Sequence, residues 1–138
     1  MYVYVRNVEN ENDNVVFVHQ SSWQRDMLKL YGDGVCLIDA TYKTTIYDMP
    51  LFFVCVLTNS GYVNVATFVL CDERKESIVA GLQYVMKWNP HWKPKLFVTD
   101  FHEAQISALE HLFPGMMSVI FHLHWYARPS FIASHVVN

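Results

Sequence analysis

Between Val35 and Leu70 three extended apolar runs follow one another with connections too short to hold a helix, and this restricts the possible folds more than any other feature. The runs are Val35 to Thr44, Leu51 to Thr58 and Tyr62 to Leu70, the last two joined by Asn59-Ser60-Gly61. They are rich in β-branched and aromatic residues, which suit a pleated, half-buried surface, and Asn-Ser-Gly supplies hairpin turn chemistry. A parallel return would need a crossover of a dozen or more residues, so strands this close in sequence pair antiparallel. The expected unit is a three-stranded meander.

After Leu70 the periodicity changes. Glu76 to Trp88 carries Ile78, Leu82, Val85 and Met86 at helical spacing, with Pro90 and Pro94 beyond its end. Lys95 to Thr99 then reads as a short buried strand, Glu103 to Phe113 as a helix with Ile106, Leu109 and Phe113 on one face, and Met117 to Leu123 as a strand. Helical crossovers are right-handed and place the next strand parallel to its partner, so the fourth strand is expected beside the first. The expected fold is therefore α/β, an RNase H-like mixed sheet of three antiparallel strands followed by two parallel strands, with flanking helices.

Upstream, Tyr2 to Val8 and Val15 to His19 are β-rich and joined by the polar stretch Glu9 to Asn14, which predicts a hairpin. A short helix over Trp23 to Tyr31 follows, with Ser21 or Ser22 as N-cap, Gly32 and Gly34 as stop, and Trp23, Met27 and Leu30 on its apolar face. The chain divides into this hairpin and helix over 1–34, a core over 35–128 and a tail over 129–138.

Of the 138 residues 52% are hydrophobic, enough for one domain with a core. The longest apolar run, Met49 to Leu57, falls well short of the roughly 20 residues of a membrane span and contains Pro50. The N-terminus carries no charged leader or cleavage site, and the chain reads as intracellular. Cys36, Cys55 and Cys71 each sit in an apolar run with no CxxC spacing, so they read as reduced core thiols. A net charge of -3 offers phosphate no general attraction, which argues against autonomous DNA binding.

Two carboxylates stand out. Asp39 ends the apolar run Val35-Cys36-Leu37-Ile38, and Asp100 ends Leu96-Phe97-Val98-Thr99. If those strands are neighbours the carboxylates meet, and two ionised groups beside apolar strand ends need a counter-charge. A hard, oxygen-liganded Mg²⁺ or Mn²⁺ supplies it, and paired ions of this kind serve phosphoryl transfer. Blander readings stand beside this one. Asp100 and Glu103 have the spacing of a capping box, and Asp39 also fits a plain polar strand end.

The blocks Leu37-Ile38-Asp39-Ala40-Thr41-Tyr42-Lys43-Thr44, Met49-Pro50-Leu51-Phe52, Phe97-Val98-Thr99-Asp100-Phe101, Ala108-Leu109 and Phe113-Pro114-Gly115 resemble MULE (Mutator-like) transposase domains in order and spacing. The likeness covers about residues 15 to 128, including the lead-in Val16-Phe17-Val18-His19-Gln20 and Trp23-Gln24-Arg25. The resemblance implies an RNase H-like DDE transposase core, with Asp39 and Asp100 as the first two catalytic, metal-binding aspartates, Mg²⁺ or Mn²⁺ as cofactor, DNA as partner and a nuclear location. It also marks two departures. Phe121 stands where the family's C-x-x-H signature has its cysteine, with His124 retained, and no residue matches the third catalytic carboxylate. The expectation is a partial catalytic core, inactive as an isolated chain. The alternative is a non-catalytic, transposase-derived module for protein or nucleic-acid interaction, with a protein partner or oligomer.

Other clusters compete less well. His122-Leu123-His124 puts two imidazoles on one side of a strand, but a closed zinc site needs four ligands and no cysteine pair accompanies them. His102 and His111 flank a helix, where solvent exposure is expected. Trp88, His91 and Trp92 with Lys87, Lys93 and Lys95 form an aromatic-basic loop suited to stacking on bases, or equally to a solvated loop anchored by its tryptophans. Lys43 is placed to meet a phosphate near Asp39, or to be a surface lysine. Nucleophile-elbow, P-loop and dinucleotide signatures are missing.

Overall fold

The computed structural model describes residues 1–6, 14–41, 48–100 and 102–120. The strands are β1 (Tyr2–Val5), β2 (Val15–Gln20), β3 (Val35–Thr41), β4 (Leu51–Thr58), β5 (Gly61–Leu70), β6 (Leu96–Thr99) and β7 (Met117–Ile120). The helices are α1 (Ser22–Tyr31), between β2 and β3, α2 (Lys75–Trp88), between β5 and β6, and α3 (Glu103–Leu112), between β6 and β7. The parts of the expected first and last core strands beyond Thr41 and Ile120 lie outside the described residues, as does most of the loop expected between β1 and β2.

The strands form one mixed sheet in the order β1-β2-β5-β4-β3-β6-β7. The meander is present: β3 pairs antiparallel with β4 from Cys36↔Val56 to Thr41↔Leu51, and β4 pairs antiparallel with β5. After the α2 crossover β6 lies parallel beside β3, and after α3 β7 lies parallel beside β6. The hairpin is bound into the same sheet, because β2 pairs antiparallel with β5 through Phe17↔Val69 and His19↔Thr67.

Alternation along the strands divides side chains between two faces. One face carries Cys36, Ile38, Phe52, Val54, Phe68, Leu70 and Phe97, and onto it pack Leu28 of α1, Ile78, Leu82 and Val85 of α2, and Ala108 and Leu109 of α3. The Phe52 and Phe68 rings stack there with centroids 5.0 Å apart. Across the sheet a second cluster joins Leu37 and Val98 with Val35, Cys55 and Tyr62, and among the described residues it takes nothing from any helix.

Local chemistry explains the helix ends. Ser21 caps α1 with a reciprocal box: its hydroxyl accepts the Gln24 N–H at 3.1 Å, and the Gln24 side chain accepts the Ser21 N–H at 2.8 Å. At the start of α2, Asp72 accepts the Ser77 hydroxyl at 2.6 Å and the Arg74 N–H at 3.0 Å. Desolvation works against the Asp72 carboxylate, yet these hydrogen bonds and the Arg74 guanidinium hold its carboxyl below the ordinary value. Gln20, fully buried, donates to the Val65 carbonyl and accepts from Asn89, which ties β2 to β5 and to the end of α2.

Two expectations are corrected. The buried side of α1 centres on Leu28, with Met27 and Tyr31 partly covered, while Trp23 is 58% and Leu30 72% exposed. The Gln24 amide explains the rotation, since it donates to the Asn64 carbonyl of β5 and so turns that side of the helix inward. Cys71 is exposed and receives a hydrogen bond from Arg6, so only Cys36 and Cys55 lie in or against the clusters.

Candidate functional site

Asp39 is the fifth residue of β3, and Asp100 follows the last residue of β6. The parallel register runs Val35↔Leu96, Cys36↔Phe97 and Leu37↔Val98. Continued by two residues, it sets Asp100 level with Asp39 on neighbouring strands, which lie about 4.8 Å apart in a sheet. By the same count both belong to the face of Leu37 and Val98, opposite the helices. Both aspartates are half-buried.

Cys55 of the neighbouring strand β4 belongs to the cluster on that face and lies near the Asp39 charge. Its thiol is pushed up to about 12, first by burial and then by that negative charge. The fully buried Thr99 hydroxyl donates to the Gln105 side-chain oxygen Oε1 at 2.7 Å, fixing the end of β6 to α3. The Asp100 carbonyl accepts the His102 N–H at 2.8 Å. His102 is the N-cap of α3, so Asp100 lies two residues before the capping position.

The His102 ring, expected in solvent, is only about one-third exposed and its Nε2 lies 3.3 Å from the Glu73 carboxylate. Its Nδ1 is buried without a hydrogen-bond partner. Glu73 was not singled out by the sequence, and no local signal could have paired residues 29 positions apart. His111 is exposed as expected. Lys43, Phe121, His122 and His124 lie outside the described residues.

The aromatic-basic loop divides by residue type. Trp92 is buried against Phe97 and Phe113, with centroids 5.9 and 5.1 Å away, and Trp88 packs beside Tyr2 and Tyr84. Lys87, His91, Lys93 and Lys95 remain exposed. The tryptophans therefore anchor the loop. A cleft of about 300 Å³ opens between this loop and α1, lined by Arg25, Lys29, Asp33, Trp88, His91 and Trp92 among others. Arg25 is already committed there, since it donates to the Trp88 carbonyl and to the Tyr2 hydroxyl and lies over the Tyr2 ring.

The donor set that Asp39 and Asp100 offer is two hard carboxylates at one level of the sheet, which suits a divalent cation with oxygen ligands. Among the described residues, no group of three or more His, Cys, Asp or Glu side chains is arranged to hold a metal. No described helix is long and apolar enough to cross a membrane. Comparison with curated proteins gives no match. The MULE transposase domain matches residues 35–128, from the first residue of β3 to beyond β7. That span holds both aspartates and more than half of the chain, and the chain belongs to the MULE transposase domain family.

Proposed function

We propose that this chain contributes the front part of an RNase H-like, DDE-type polynucleotidyl transferase core acting on DNA, with Asp39 and Asp100 as metal-binding catalytic carboxylates. The observation that supports the reading is the parallel β3–β6 pairing, whose register, continued two residues past Leu37↔Val98, would set the two aspartates level within the family match. The strand order β5-β4-β3-β6-β7, antiparallel then parallel, supports the RNase H-like assignment.

Asp39 and Asp100 would hold Mg²⁺ or Mn²⁺, which when bound activates an attacking oxygen and stabilises a leaving one in phosphoryl transfer. The chain's own contribution is placement. Asp39 is held within β3 by its pairing with Phe53 of β4, and Asp100 follows a strand end fixed to α3 through the Thr99 and Gln105 side chains. Misplacement by about 1 Å can cost on the order of 100-fold in rate, so this rigidity matters.

Mn²⁺ binding to the purified chain, followed by water-proton relaxation, tests the site. Weak saturable binding is expected, lost in Asp39→Asn, Asp100→Asn; undiminished binding in the double variant would reject the assignment. With two carboxylates as its only assigned metal ligands, the chain by itself is expected to leave a plasmid un-nicked in Mn²⁺. Nicking abolished in the double variant would show that two ligands suffice.

A second reading has its own support. The net charge of -3 does not draw DNA to the surface, which favours a transposase-derived interaction module. Metal binding without detectable affinity for DNA at low salt is what that reading expects.

A further inference from the structure

The strand β1 forms one edge of the sheet, and the direction of its free backbone groups can be read from one hydrogen bond. The Arg6 N–H donates to the Val16 carbonyl at 3.0 Å, so Arg6 and Val16 form a hydrogen-bonded pair in the β1–β2 ladder. Such pairs alternate with pairs whose backbone groups point away. Tyr4↔Val18 and Tyr2↔Gln20 are then the bonded pairs, while the N–H and C=O groups of Val3 and Val5 point outward. Among the described residues no strand lies on that side of β1.

Edges of this kind are normally blunted by a lysine, a proline, a bulge or an inward charge. β1 has none of these. Its sequence is Tyr-Val-Tyr-Val, its pairing with β2 is regular, and Val3 and Val5 are 45% and 64% exposed. The two outward-facing residues flank Tyr4 symmetrically, which makes the edge its own complement. Turned about a two-fold axis at Tyr4, a second β1 brings its Val5 opposite Val3 and its Val3 opposite Val5.

We propose that two copies of this chain associate through antiparallel pairing of their β1 edges, joining the two sheets into one. Each Val3–Val5 pair across the axis exchanges two backbone hydrogen bonds, and each covers apolar surface that one copy leaves in water. The two Tyr4 residues meet at the axis as a non-bonded pair on the helix-bearing face, where each already stacks on its own Tyr84 with centroids 4.2 Å apart. The contact is isologous and closes on itself, so it yields a dimer and not a filament. A foreign peptide would meet the same backbone groups, but covering two exposed valines requires an apolar β-branched strand, and a second β1 is one.

The test is the mass of the complete chain by sedimentation equilibrium over micromolar to millimolar concentrations, compared with two variants. Val5→Pro removes an outward N–H that β2 does not use, a position where an edge strand tolerates proline. The double variant Val3→Lys, Val5→Lys keeps every backbone group and sets like charges opposite one another across the axis. The parent is expected to approach twice its monomer mass of 16.1 kDa, and both variants to stay near that mass, with the parent's melting temperature when all three are compared at dilution where the parent is monomeric. If Val5→Pro lowers the melting temperature, the lysine variant alone decides. A parent that is monomeric throughout overturns the proposal, as does a dimer that survives the lysine variant.

Discussion

The three cysteines show how one residue type takes different chemistry from its surroundings. Cys36 is fully buried, and burial pushes its thiol from an ordinary 9.0 up to about 12; Cys55 reaches about 12 by burial with the charge of Asp39 added. Cys71 lies on the surface. Thiolates are the reactive form, so a thiol reagent near about pH 8 should label one cysteine per native chain and all three after unfolding. Labelling of two or more in the native state would contradict the burial. The same shifts act on stability. The folded state holds the Cys36 and Cys55 protons more tightly than the unfolded chain does, so their contribution is complete below pH 9.0 and is lost as pH rises towards about 12. A midpoint in urea that falls over this alkaline window, and falls less in Cys36→Ala, Cys55→Ala relative to its own value at neutral pH, is the expected result.

At the scale of elements, packing decides more than propensity. Helix α2 approaches β5 so closely at Gly81 that an added Cβ would meet the Phe68 ring at 2.6 Å and Leu70 at 3.2 Å. The Phe68 ring is fully buried and stacked on Phe52, so it has little room to move. Alanine gains about 1 kcal/mol over glycine in helix propensity, but overpacking a filled core costs about 1–3 kcal/mol. Gly81→Ala is expected to destabilise in a urea titration; a stabilised variant would mean the helix can withdraw from the sheet. Helix α1 offers the complementary case. Leu28 is 2% exposed, so Leu28→Ala should cost about 2–5 kcal/mol, whereas Trp23→Gln and Leu30→Gln should each change stability by about 0.5 kcal/mol or less. The extents of α1, α2 and α3 were legible to within about a residue because caps, glycines and prolines act locally. The inward side of α1 was not. Over ten residues the apolar positions 23, 27 and 30 and the positions 24, 27, 28 and 31 are both plausible stripes, and the choice rests on a contact with Asn64, 40 residues away.

Across the whole molecule, the sheet brings together what the chain separates. The α2 crossover lays β6 parallel to β3, and on the proposed reading this brings Asp39 and Asp100 together for a cation, so that neutral amides would lose no metal-free contact between them. In metal-free buffer Asp39→Asn, Asp100→Asn is therefore expected to melt at or above the temperature of the parent. A clear drop would assign the pair a structural role in the strand ends. The sequence by itself determined the kind and order of the elements, since the alternation of β3, β4 and β5, the helical spacing of Ile78, Leu82 and Val85, and the Asn59-Ser60-Gly61 turn are local signals. It also carried the two aspartates, each marked by a polar residue at the end of an apolar run. Only the tertiary structure decided that the N-terminal hairpin extends the core sheet through β2 and β5, that all three helices lie on one face, and that Glu73 meets His102. Pairings of this kind arise from competition among several apolar edges and faces for the same partners, and the outcome depends on the shape of the assembled sheet, which no short window of residues contains.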